Sequence, residues 1–192
     1  MGWNTVDQTW NECQMATAER ACLWNVPDVL ARQTVRTLFD GRFETTGGHT
    51  VTMPYASTLA PGQRERSFDL DDEPGASHRS PWGQVVHHML GNAYNTATGR
   101  RSVYRSQHGW TNPETKLATR QLTGYEIRYA EDYGRSQWHQ ALASGELLGV
   151  TGNAHAWAYV PELTESEDGR VTVRTYVDDN SYGERADRRR SL

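Results

Sequence analysis

Apolar residues recur at helical spacing through the first two thirds of the chain. Residues 12–24, ECQMATAERACLW, are rich in residues that favour helices, and Pro27 suits the first turn of a second, amphipathic helix. A short later helix is closed by Gly145. The predicted helices cover residues 12–24, 28–39, 82–94 and 136–142.

Strand patterns lie mainly in the last third of the chain. Two short runs joined across Gly47-Gly48 predict a β-hairpin, and three longer runs follow near the end. The predicted strands cover residues 42–46, 50–53, 147–150, 154–160 and 171–177, with a turn over 162–169. Polar residues 54–80 and 95–115 predict irregular loops. Helices first and strands last predict an α+β protein of one domain or two lobes.

The composition excludes several classes of protein. The chain has 192 residues, of which 36% are hydrophobic and 10% aromatic, and this argues against intrinsic disorder. A net charge of -4 does not suggest nucleic-acid binding, and no apolar run reaches the roughly 20 residues of a membrane span. No secretory signal begins the chain, so we expect a cytoplasmic protein or one delivered by a route without a signal peptide.

The two cysteines, Cys13 and Cys22, stand nine residues apart in the first predicted helix. A helix separates them by about 13 Å and turns them to opposite faces, which excludes a disulfide between them. Two cysteines are also too few for a structural zinc site. We expect Cys22 to belong to the core, because a cysteine in an Ala-rich helix is usually a buried small hydrophobe.

The chain carries candidates for thiol chemistry in the order cysteine, histidine and then asparagine or aspartate. Cys13 begins a helix, and a helix N-terminus and a nearby imidazolium both stabilise a thiolate. His155 opens a predicted strand, where it can reach a thiol and accept its proton. Asp178, Asp179 and Asn180 end the next strand, and a side-chain oxygen there can orient the imidazole.

These residues resemble the papain-like cysteine peptidases, and most closely the calpain protease core. Asn180-Ser181-Tyr182-Gly183 resembles their Asn-Ser-Trp-Gly motif, and His155-Ala156-Trp157 resembles the His-Ala-Tyr of calpains. Residues 8–18, QTWNECQMATA, resemble the calpain segment around the catalytic cysteine. The hairpin at 42–53 and the helix at 82–94 resemble further landmarks in the same order.

The resemblance implies a fold and a reaction. Residues 1–184 would form a papain-like domain, with a helical lobe carrying the cysteine and an antiparallel β lobe carrying the histidine and asparagine. Residues 185–192 would be a basic, disordered tail. Cys13 would attack a peptide carbonyl, His155 would transfer protons, and Asn180 would orient His155. Gln8 and the backbone N–H of Cys13 would bind the oxyanion, and the reaction needs no cofactor.

The chain departs from the family at three places, and these keep other interpretations open. Asn11-Glu12 precedes the cysteine, Gln14 replaces the family's Trp, and Gln8 lies five residues before Cys13 instead of six. An acyltransferase, deamidase or transglutaminase, including a delivered toxin, would use the same fold. In a transglutaminase, Asp178 or Asp179 would orient the histidine. A degenerate fold kept as a binding module is the third interpretation.

The other polar clusters predict solvated surface. His87 and His88 diverge by 100° on a helix, so we expect surface or boundary residues and no shared metal. The acidic run 69–73 lacks alternating ligand spacing, so we expect a solvated loop, and calcium dependence is not indicated. The expected partner is a protein or peptide substrate, with neither nucleic acid nor membrane.

Overall fold

The computed structural model describes residues 13–53, 81–100, 110–152, 155–165, 168–169 and 171–178. In chain order their elements are α1 (Cys13–Asn25), α2 (Pro27–Asp40), β1 (Arg42–Glu44), β2 (Thr50–Thr52), α3 (Pro81–Ala97), α4 (Asn112–Thr123), a 3-10 turn (Ala130–Asp132), α5 (Arg135–Ala143), β3 (Leu148–Gly152), β4 (His155–Glu165) and β5 (Val171–Asp178). The prediction of an α+β protein is confirmed. None of the helices in these ranges is long and apolar enough to cross a bilayer.

Helix α1 is the central element of the helical layer. Nine of its 13 residues are buried, because it packs against α3 and α4 and also against β4. Its small alanines, Ala16, Ala18 and Ala21, let these neighbours approach closely. The sequence correctly predicts this helix, which shows no single polar face because it is covered on several sides.

Helix α2 and the β1–β2 hairpin follow as predicted. Pro27 lies in the first turn of α2, and Gly41 ends the helix at φ 65°, donating its N–H to Thr37. The apolar periodicity of residues 28–39 includes Phe39, but this prediction is wrong, because Phe39 is 80% exposed. It stands nine residues after the buried Leu30, which is about half a turn away in angle.

The C-terminal sheet is antiparallel, in the order β3-β4-β5. Val150 pairs with Trp157, and Tyr159 pairs with Val177. The predicted turn over 162–169 is wrong in its first half, because β4 continues to Glu165. Backbone pairing with β5 holds this extension although three of its side chains are polar, Glu162, Thr164 and Glu165, as an antiparallel pair with a solvated face allows.

Helix α4 was not expected, since residues 95–115 were predicted to be irregular. Helix α3 runs on to Ala97, and α4 begins at Asn112. The N–H and the hydroxyl of Thr111 both donate to the Glu114 carboxylate, at 3.0 and 2.9 Å. Gly124 ends α4 at φ 80°. The Thr-x-x-Glu spacing that begins this helix is a recognised start signal that the loop prediction overlooked.

Two apolar clusters cover the two faces of the sheet. The larger joins α1, α3, α4 and the β1–β2 hairpin to the face that carries Ala158. The smaller lies under α5 on the opposite face, where Trp138 stacks on Tyr159 with ring centroids 5.6 Å apart. The sheet is therefore held in place from both sides, and the hairpin end that begins β4 has a fixed position.

Candidate active site

Cys13 is the first residue of α1, and 6% of its surface is exposed. The partial positive charge of a helix N-terminus stabilises a thiolate held there. Met15 and Ala16, in the same turn, are buried and anchor the helix end in the core. The predicted nucleophile is thus held at a well-packed helix end with a small accessible area.

His155 is the first residue of β4, where it pairs with Gly152 of β3. Its half-buried ring is tilted by 30° against Trp157, with the ring centroids 5.8 Å apart. Gly152 makes room for this arrangement, since a Cβ there would lie 3.3 Å from the Trp157 ring. The hairpin end therefore gives the predicted base a defined place.

The two elements that begin with Cys13 and His155 are neighbours, because α1 packs directly against β4. Ala158 faces α1 and the main core, whereas His155 lies on the other face with Trp157. His155 therefore lies on the face turned away from α1, and an approach of its imidazole to the Cys13 thiol would have to pass around the hairpin end of the sheet. The hydrogen bonds from Gln14 through Asn112 to Thr151, which pairs with Ala156, place the first turn of α1 near that end.

The remaining predicted site residues lie at or beyond the limit of the described part. Three of them are outside it: Gln8, Asp179 and Asn180. Asp178 is the last residue of β5, and its backbone pairs with Ala158, three residues along β4 from His155. The oxyanion role and the choice of orienting residue stay predictions.

Gln14, the second residue of α1, is the centre of a buried hydrogen-bond network. Its Nε2 donates to Asn112 Oδ1 at 2.7 Å, and its Oε1 accepts from the Tyr129 hydroxyl at 2.7 Å. Asn112 Nδ2 in turn donates to Thr151 Oγ1 at 3.2 Å. Sequence reasoning treated Gln14 only as a departure from the family. The network ties the first turn of α1 to α4 and to the hairpin beside His155.

Tyr129 supplies the second fixed point of this network. Its ring lies directly over Gly149, where an added Cβ would come within 2.6 Å of the ring carbons. Burial raises the pKa of the Tyr129 phenol above its usual range, and nearby carboxylates and an ionised Cys13 act in the same direction. A hydrogen bond with Thr115 opposes them. The phenol therefore stays protonated at neutral pH and serves as a donor.

Cys22 lies on the core side of α1, as the sequence predicts. It is fully buried, and that burial raises the pKa of its thiol from 9.0 to about 12. Its Sγ lies 4.0 Å from the Thr123 hydroxyl. Both cysteines are thiols, so Cys22 provides an unreactive reference against which Cys13 can be measured.

The two histidines of α3 contradict the prediction of a surface position. His87 is 1% and His88 5% exposed. His87 Nε2 lies 3.1 Å from a carboxylate oxygen of Glu19, which is also 1% exposed. A carboxylate from α1 thus accompanies His87 in the core, and a pattern of helix residues does not show such a partner. Across the described ranges, no group of three or more His, Cys, Asp or Glu side chains could hold a metal ion.

Comparison of the chain with protein-family models, with curated proteins and with solved structures found no match. The likeness to papain-like peptidases therefore depends on the residues quoted above. In the described part of the chain, helix α1 packs on β4. Together they provide a thiol at a helix end and an imidazole at a neighbouring strand end.

Proposed function

We propose that this protein is a cysteine endopeptidase with a papain-like fold, in which Cys13 is the nucleophile and His155 the general base and acid. The observation that carries the proposal is the packing of α1, which begins at Cys13, against β4, which begins at His155. The helical lobe would carry the cysteine and the antiparallel lobe the histidine. Asn180, by its resemblance to the family motif, would orient the imidazole.

The reaction follows from these roles. His155 takes the thiol proton, and the Cys13 thiolate attacks the peptide carbonyl carbon. The C–N bond breaks, His155 protonates the leaving amine, and a thioester remains on Cys13. Water then loses a proton to His155 and attacks the thioester, which releases the carboxylic acid and restores the thiol. The Cys13 backbone N–H and Gln8 would stabilise the oxyanion, and no cofactor takes part.

The pH dependence of Cys13 alkylation tests the proposed pair. We expect Cys13 to react with iodoacetamide well below pH 7, because a neighbouring imidazolium and the helix N-terminus stabilise the thiolate. His155→Ala should move the midpoint toward about 8.5, the value of an unperturbed thiol. Mass spectrometry of the native protein reads Cys13 separately from Cys22, which should stay unmodified.

A slow reaction with the same midpoint in both proteins would refute a Cys13–His155 pair. Where the pair is present, incubation with mixed peptides identifies the reaction from its products. Cleaved peptides are expected, and Cys13→Ala should abolish them. Deamidated or amine-linked products without cleavage would instead establish the deamidase or acyl-transfer reaction.

A further inference from the structure

A continuous run of hydrogen bonds crosses beneath the first turn of α1. It begins where Thr115 Oγ1 and the Tyr129 hydroxyl lie 2.5 Å apart, and it continues from Tyr129 to Gln14. From Gln14 it passes through Asn112 to Thr151. It therefore joins α4 and the segment before the 3-10 turn to the β3–β4 hairpin, with the side chain of Gln14 between them.

The run of hydrogen bonds ends at a carboxylate, and this determines which group donates and which accepts in every bond. Both the N–H and the hydroxyl of Thr151 donate to Glu131 Oε1, at 2.7 Å each. Because an ionised carboxylate only accepts, the Thr151 oxygen must accept from the Asn112 amide. The oxygen of Asn112 is then left to accept from Gln14.

The same reasoning assigns the donors and acceptors at the other end of the run. Since the Gln14 nitrogen donates to Asn112, its oxygen faces Tyr129 and accepts the phenol proton. The single proton of Tyr129 is used there, so the Thr115 hydroxyl must donate to Tyr129 in place of the backbone carbonyls of Thr111 and Asn112, which lie 3.1 and 3.0 Å from it. Both ends of the Gln14 amide are thus satisfied in one orientation only, which fixes this buried side chain.

Gln14 adjoins the residues that the proposed reaction needs. It follows Cys13 directly in the chain and shares the first turn of α1 with it. At the other side, Thr151 pairs with Ala156, the neighbour of His155 on β4. A shift of the Gln14 amide would therefore move the cysteine end of α1 relative to the histidine end of β4.

We propose that Gln14 is a positioning residue, whose two amide hydrogen bonds set the separation and alignment of Cys13 and His155. The proposal rests on the proposed function for its catalytic meaning, although the positioning itself can be measured without catalysis. An apolar side chain at this place could pack but could not connect Tyr129 to Asn112. The amide supplies a directional link between the two parts of the site.

Crosslinking measures the positioning directly. In a His155→Cys protein that also carries Cys22→Ala, a short bifunctional thiol reagent should join residues 13 and 155. Adding Gln14→Leu should slow this crosslink about tenfold, since displacements near 1 Å change rates of oriented reactions by up to a hundredfold. Gln33→Leu is the matched control, because Gln33 lies on a different helix, α2, and its amide also donates hydrogen bonds, to the backbone carbonyls of Glu44 in β1 and Leu122 in α4.

A second variant with a smaller change tests the same network if the Gln14→Leu protein does not fold. Tyr129→Phe removes one hydroxyl and keeps the ring over Gly149, and it should slow the crosslink about threefold, because the Gln14 amide loses one of its two hydrogen bonds. In the protein with His155 present, both variants should also raise the midpoint pH of Cys13 alkylation. A solely structural role would lower stability and leave that midpoint unchanged.

The outcomes separate the two proposals. An equal crosslinking rate with and without Gln14, in folded proteins, overturns the positioning role. A rate that depends on Gln14, together with an alkylation midpoint that does not depend on His155, supports the positioning role and refutes the proposed function. No crosslink in any of the proteins overturns both.

Discussion

Helix α1 buries two polar clusters of different character. At its first turn, Gln14 takes part in a network in which hydroxyl and amide groups each have a partner. Further along, Glu19 meets His87 of α3, and both side chains are almost completely buried. The first cluster holds the helix end against α4 and the sheet, and the second holds the middle of the helix against α3.

The two clusters act on helix α1 in different ways. The first sets the position of the helix end, and the second attaches the middle of the helix to α3. Directional bonds to an amide set where a helix end lies, because each donor must face its acceptor. A buried acid–base pair contributes strongly only while both partners are present, because either one alone is a costly buried group. We therefore expect damage to the first cluster to alter chemistry at Cys13, and damage to the second to alter stability.

Breaking the acid–base pair should cause the greatest loss of stability. His87→Leu leaves the Glu19 carboxylate buried without its partner, and we expect a loss of about 3–5 kcal/mol. Urea denaturation at neutral pH measures it. The double variant Glu19→Leu with His87→Leu should recover part of the loss, because it removes the buried carboxyl group as well. A single-variant loss below about 1 kcal/mol would contradict a pair of this kind.

Displacing the ring of Tyr129 should cost less. A Cβ at Gly149 would lie 2.6 Å from that ring, so Gly149→Ala must push Tyr129 away from Gln14. We expect a loss of about 1–3 kcal/mol in urea denaturation, as for other overpacked sites. Gly134→Ala is the control, since its nearest neighbour would be 3.7 Å away. Equal stability of the two variants would mean that Tyr129 is not fixed by this contact.

Alkaline pH should produce the most gradual effect and should sharpen the contrast between the two faces of α1. The pKa of Cys22 rises from 9.0 to about 12 on folding, so the folded chain keeps a proton that the unfolded chain releases. Stability therefore falls as pH rises through this range, by at most about 1.4 kcal/mol per pH unit.

Urea midpoints from about pH 7 to about pH 11 measure this slope, and Cys22→Ala should make it shallower. Part of the slope should remain in the variant, because burial also raises the pKa of Tyr125 and Tyr129. Identical slopes in the two proteins would show that the thiol does not titrate differently on folding.

Local patterns were sufficient for most of the elements. The hairpin with Gly47-Gly48, the Pro27 start of α2 and the three late strands were all predicted, because turn residues and apolar periodicity act over a few residues. Helix α4 was missed although Thr111 and Glu114 carry a capping signal, because the polar residues before it suggested a loop. The extension of β4 to Glu165 was missed because pairing with β5, not side-chain pattern, holds it.

The residues of the candidate site were likewise predicted from the sequence only in part. Cys13 and His155 could be selected from their positions at the start of a helix and of a strand. Gln14 could not, because its partners Asn112 and Tyr129 lie 98 and 115 residues away in the chain. The burial of His87 was likewise hidden, since it depends on Glu19 of another helix.

Residue type and short-range spacing established the α+β class, the core position of Cys22 and the candidate thiol and imidazole. Those properties depend on backbone preferences and burial tendencies that act within a few residues. The network around Gln14, the Glu19–His87 pair and the packing of α1 on β4 arise only when distant segments meet. Hydrogen bonds and ion pairs act over a few ångströms in space, and chain order does not record that distance.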